Sequence, residues 1–134
     1  MRRLLLLRHA KAERAEPGER DHDRRLANRG REDAQQAGAY LERHGYVPGR
    51  VMVSPAARTR ETWELVAAAL TSQPAVVFEP RIYEASPETL LAIAQETAPG
   101  VQTLMMIGHN PGMHDLAFIS LRPSPWLRGD EFVS

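Results

Sequence analysis

Four short apolar runs, residues 3–7, 50–53, 75–79 and 102–107, are built largely from Leu, Val, Met and Ile without alternation. A strand wetted on one face alternates apolar and polar side chains, whereas a continuous run suits a strand buried on both faces. Segments of helical character separate the runs. Residues 31–44 place Ala34, Ala37 and Leu41 on one side, and His44-Gly45 supplies a stop. Ser54-Pro55 reads as an N-cap with proline at N1, opening a helix to about Leu70 with Trp63, Val66, Ala67 and Leu70 inward. Ser86-Pro87 opens a third helix with Leu90, Ile93 and Ala94 inward, and Asn110-Pro111-Gly112 a fourth through about Leu121. Strand and helix in alternation predict an α/β three-layer sandwich: a mostly parallel central sheet flanked by helices. In such sheets functional groups gather beyond the carboxyl ends of the strands.

A chain of 134 residues is the size of one domain, expected here over residues 1–134. Formal net charge is zero, so no long-range attraction to nucleic acid or to an anionic membrane is expected. Nearly all cationic side chains are arginine, Lys11 being the only lysine, so individual positions matter more than their number. The absence of cysteine excludes disulfides, thiolate nucleophiles and Cys-ligated metals, and fits a reducing cytoplasm. Arg2-Arg3 followed by leucines imitates a signal peptide. The apolar run Leu4-Leu5-Leu6-Leu7 is shorter than the ~7–15 residues of an h-region, and Arg8-His9 interrupts it, so secretion is not expected. Nor does any stretch reach the ~18 apolar residues of a membrane span. Residues 13–25 are dense in charge and read as a surface loop.

Three strand ends carry chemistry. The first ends in Arg8-His9, the second runs into Ser54-Pro55-Ala56-Ala57-Arg58, and the fourth ends in Gly108-His109-Asn110-Pro111. If these strands are neighbours, two histidines and two arginines converge near helix N-termini, an environment suited to a dianion. Taken singly, each residue has an ordinary structural reading, so the convergence carries the argument. His22, His44 and His114 lack comparable settings and read as surface or locally hydrogen-bonded. A metal site is not expected, because no His-x₃-His or His-Glu pattern occurs and two arginines would repel a cation.

Leu7-Arg8-His9-Ala10-Lys11, Ser54-Pro55-x-x-Arg58-x-x-x-Thr62 and Ile107-Gly108-His109-Asn110-Pro111 resemble motifs of the histidine phosphatase superfamily. Asp23-Arg24-Arg25-Leu26-Ala27-Asn28-Arg29-Gly30 is similar to the Arg-Pro-Leu-x-x-x-Gly segment of its SixA-type phosphohistidine phosphatase branch, with Arg25 where proline is usual. Ala12 stands where such relatives often carry serine. The resemblance implies a phosphoglycerate mutase-like fold and a cofactor-independent, metal-independent phosphatase. His9 would be the transiently phosphorylated nucleophile. Arg8, Arg58 and His109 would hold the phosphoryl oxygens, joined by Arg24. Glu84 stands where the mutase and acid phosphatase branches carry a general acid.

Between Ile82 and Val101 there is room for one helix and no capping insertion, which favours a bulky substrate such as a phosphorylated side chain on another protein. Phosphohistidine is the leading substrate. Small phosphomonoesters, or a phosphate-binding module of poor turnover, are the alternatives. Relatives continue after His109 with a further strand and helix, so the C-terminus reads as shortened. The proline-bearing stretch 122–129 reads as irregular, with one sheet edge left to the tail or a second subunit and stability reduced.

Overall fold

Leu4 and Leu6 face one side of the sheet and Leu5 and Leu7 the other, all at most 3% exposed, and this accounts for a strand apolar at every position. They belong to β1 (Arg3–Arg8). The computed structural model describes residues 3–119 and 132–133. Further along the chain come α1 (Asn28–Arg43), β2 (Arg50–Val53), α2 (Ala57–Ala68), β3 (Ala75–Phe78), α3 (Pro87–Gln95), β4 (Thr103–Gly108), α4 (Gly112–Ile119) and β5 (Phe132–Val133). Two 3₁₀ turns, Asp21–Asp23 and Pro80–Ile82, were not foreseen from periodicity, which three residues are too few to display.

The strands form one sheet in the order β3-β2-β4-β1-β5, with parallel pairing throughout. One face carries Leu4, Leu6, Leu104 and Met106 against Leu90, Ile93, Met113 and Leu116 of α3 and α4. The other carries Leu5, Leu7, Met105 and Ile107 against Leu41 of α1 and Trp63 and Val66 of α2. Each leucine so buried contributes roughly 1.5–3 kcal/mol of transfer free energy. The predicted sandwich is therefore observed. The predicted tail at 122–129 and the last turn of the fourth helix lie outside the described residues. Beyond them, Phe132 and Val133 pair with Leu6 and Leu7 at the β1 edge.

Several boundaries differ from the sequence expectation. The first helix begins three residues early, at Asn28, because its first turn is seated on the loop that follows β1. The Ala27 amide donates to Lys11 O at 2.9 Å, and a Cβ on Gly30 would lie 2.1 Å from that same oxygen. Only glycine allows the helix to approach there. The expected stop is present, with His44 as the C-cap and Gly45 at φ 71°. Ser86 caps α3 as expected, its hydroxyl accepting from the Thr89 amide at 3.2 Å. Ser54 does not cap α2. That helix starts at Ala57 with Ala56 as N-cap, and the Ser54 hydroxyl turns to another partner.

Candidate active site

Parallel register decides which strand ends meet. Arg8 is paired with Gly108 across β1 and β4, so His9 and His109 each stand one residue past a matched pair. The His9 amide donates to Gly108 O at 3.0 Å, and the two imidazole centroids are 5.3 Å apart. On the other side of β4, Val53 pairs with Ile107, and the Ser54 amide continues the ladder to Ile107 O at 3.0 Å. Arg58 follows in the first turn of α2.

His9 Nδ1 lies 2.7 Å from Ala10 O, an acceptor only, so the ring proton resides on Nδ1 and Nε2 keeps its lone pair. Burial, reinforced by the charges of Arg58, Arg8 and Arg24, pushes His9 down to about 4 against the backbone hydrogen bond that favours protonation. The loop holding this carbonyl is itself tied to α2. The Ala10 amide donates to Thr62 Oγ1 at 3.1 Å, and that hydroxyl donates to Arg58 O at 2.7 Å. Thr62 is buried, so the second half of the Ser54-to-Thr62 motif links the loop after His9 to the helix that carries Arg58.

His109 is 8% exposed and is pushed down to about 3, chiefly by burial and then by the neighbouring Arg58 charge. Its Nε2 lies 2.7 Å from Ser54 Oγ, while its Nδ1 is buried without a partner. Arg58 is 5% exposed. Its Nη1 donates to Asp21 O at 2.7 Å and its Nη2 to Asp21 Oδ2 at 3.0 Å, and its buried Nε has no partner. Two buried nitrogens, Arg58 Nε and His109 Nδ1, thus stand unpaired. Buried polar groups rarely remain unpaired, and an acceptor oxygen would satisfy the Arg58 Nε–H.

Asp21 is the residue at this cluster that sequence reasoning missed. Its carboxylate accepts from Arg24 Nε at 2.9 Å, Arg58 Nη2 at 3.0 Å and the Tyr83 hydroxyl at 2.5 Å. The Tyr83 hydrogen bond, with help from Arg58 and Arg24, pulls Asp21 down to about 2, while the same bond raises Tyr83. The Tyr83 ring meets His109 edge-on at 5.3 Å and His22 at 5.0 Å. His22, expected to be a surface or locally hydrogen-bonded residue, borders the cluster through Tyr83. An acidic residue three positions before Arg24 was visible in the sequence. Nothing local announced that it would land on Arg58.

Arg24 joins the cluster through Asp21 and also donates to Glu13 O at 3.1 Å. Glu84 adopts φ 55°, a left-handed conformation unusual for a glutamate, and borders a cavity of about 440 Å³ together with Asp21, Arg58, His109 and Asp115. Arg8 is exposed and borders a second cavity of about 690 Å³ with His9, Lys11, Tyr40 and Thr62. It acts on His9 through its charge, from a different cavity than Arg58 and His109. Among the described residues, no group of three His, Cys, Asp or Glu side chains could hold a metal ion, and no helix is long and apolar enough to cross a membrane.

Two imidazoles and a buried guanidinium gather beyond the carboxyl ends of the neighbouring parallel strands β1, β4 and β2 in an α/β protein. The chain belongs to the histidine phosphatase superfamily, whose branch 1 is matched by residues 4–98. In structure it is similar to the candidate phosphohistidine phosphatase SixA of Agrobacterium tumefaciens, with a TM-score of 0.84 and 35% identity over 88% of this chain and 75% of that one. A second SixA candidate, from Nakamurella multipartitia, gives 0.75 and 32% over 89% and 65%. The SixA-type branch expected from the motifs is thus supported. In sequence the chain is 33% identical to an uncharacterised chloroplastic protein of Arabidopsis thaliana over 87% of its length, and spans 57% of that relative. A phosphoglycerate mutase of Plasmodium falciparum, at TM-score 0.57 and 14% identity, shares the fold.

Proposed function

We propose that this protein is a phosphatase acting through a phosphohistidine formed on His9, with phosphohistidine or a related phosphoprotein as substrate. The observation that carries the reading is the Nδ1–H of His9 held by Ala10 O. It leaves an unprotonated Nε2 on a ring that neighbours His109 and feels the charge of Arg58, each with a buried nitrogen unpaired. Phosphoryl transfer needs little more than an aligned nucleophile and fixed positive charge. In the first step a bond forms from His9 Nε2 to phosphorus as the substrate P–N bond breaks. The leaving imidazole, already protonated on its distal nitrogen, departs neutral. In the second, water attacks phosphorus, the bond to Nε2 breaks, orthophosphate leaves and a proton is released. The guanidinium charge supplies the field that the cofactor- and metal-independent reading requires.

A single helix, α3, occupies the stretch where a lid could be inserted, and this supports a large substrate. The reducing compartment suggested by the lack of cysteine supports a cytoplasmic setting. Small phosphomonoesters are a second reading, favoured by Glu84 bordering the cavity of Arg58 and His109, where it can protonate an alkoxide leaving group. Turnover of a phosphohistidine protein compared with p-nitrophenyl phosphate, with His9→Ala as control, tests both. Faster turnover of the phosphohistidine protein, and phosphate trapped on His9 by mass spectrometry, is expected. Undiminished turnover in His9→Ala would overturn the reading.

A further inference from the structure

Ser54 is fully buried at the end of β2, and its hydroxyl has two neighbours within hydrogen-bond range. The Ala56 amide, at 3.4 Å, can only donate to it. His109 Nε2, at 2.7 Å, can donate or accept. If Nε2 carried the ring proton, both neighbours would donate to Ser54 and its own proton would be left buried without an acceptor. If Ser54 donates to Nε2, the hydroxyl is satisfied and the ring proton moves to Nδ1, leaving that one N–H unmatched, where the other tautomer leaves both the Ser54 proton and the Nδ1 lone pair unmatched. Nδ1 is the buried His109 atom with no partner, matching the buried Arg58 Nε.

We propose that Ser54 is a positioning residue that holds His109 as the Nδ1–H tautomer, so that Nδ1 donates to an oxygen of the transferring phosphoryl group. The assignment rests on the phosphoryl cradle proposed above and adds the direction of one hydrogen bond within it. With the opposite tautomer, a nitrogen lone pair would face the anion and repel it. The choice matters because His109 stays neutral, having a single N–H to offer. Ser54 is free for this role because α2 begins three residues later with Ala56 as its cap.

Long-range ¹H–¹⁵N correlation spectra of the imidazoles, with inorganic orthophosphate as the titrated ligand, test the assignment. The wild-type protein is expected to show His109 as Nδ1–H. Ser54→Ala should shift the ring towards Nε2–H and weaken orthophosphate binding about 10- to 100-fold, the range seen when the orienting partner of a metal-ligating histidine is lost. Ser54→Thr, which keeps the hydroxyl, should restore both. An Nε2–H ring in the wild type overturns the proposal, as does a Ser54→Ala protein with unchanged tautomer and affinity. The wild-type spectrum decides even if a variant fails to fold. It is read without turnover, so a lack of phosphatase activity would count against the proposed function alone.

Discussion

The Arg58 guanidinium, almost wholly buried, is bound by Asp21 twice, through the backbone carbonyl at 2.7 Å and the carboxylate at 3.0 Å, across 37 positions of sequence. The same carboxylate draws in Arg24. Asp21 thereby aims two arginines while placing a negative charge at the rim of the proposed phosphoryl site. Removing that charge and keeping an acceptor, as in Asp21→Asn, should tighten orthophosphate binding several-fold, measured by calorimetry. Weaker binding would show that aiming the arginines outweighs repulsion.

Asp21 also gives a pH signature. Its folded value, about 2, lies below the ordinary carboxylate value, so its stabilising effect is complete above pH 4–5 and is lost as pH falls towards 2. The side chain is 48% exposed, so solvent reduces the effect. The difference in thermal midpoint between wild type and Asp21→Asn should shrink from pH 7 to pH 3. A constant difference would argue against this ion pair.

His9 and His109 should stay neutral far below the usual histidine range, with midpoints near 4 and 3 in an NMR titration of the free protein. Because the unfolded chain takes up these protons near pH 6.5, folding stability should fall as pH drops from 6.5 towards 4. A midpoint near 6.5 for either ring would mean that the site is wetter and less cationic than described.

Thr62→Val deletes the link between the Ala10 amide and the Arg58 carbonyl while nearly preserving side-chain volume. Leaving the Ala10 amide unpaired should cost about 1–3 kcal/mol of stability, the Arg58 carbonyl keeping its helical partner. Turnover should fall with little change in orthophosphate affinity, since the anion-binding side chains remain. Thr62→Ser should recover turnover. Equal loss in both variants would assign Thr62 to packing alone.

Glu84 tests the choice of substrate. Glu84→Gln should reduce hydrolysis of phosphomonoesters far more than that of phosphohistidine, because neutral imidazole leaves without an acid. Equal losses on both substrates would remove it from the acid role. Glu84→Gly should raise stability by about 1 kcal/mol by relieving the left-handed backbone, checked by denaturant unfolding.

Local information was enough for the strands and helices, because unbroken apolar runs and helical spacing report burial directly. It was also enough to nominate His9 and His109 at strand ends that parallel pairing brings together, and Arg58 in the helix turn that follows a third. Short-range signals failed where partners lie far apart in sequence. Ser54 had the signature of an N-cap, yet the tertiary fold placed His109 against its hydroxyl and moved the helix start to Ala57. Asp21 sat in a charged loop with no periodicity, and only the folded chain delivered it to Arg58, Arg24 and Tyr83. Periodicity encodes which side of an element is dry. The partner of a polar group depends on register and loop path, which are properties of the whole sheet.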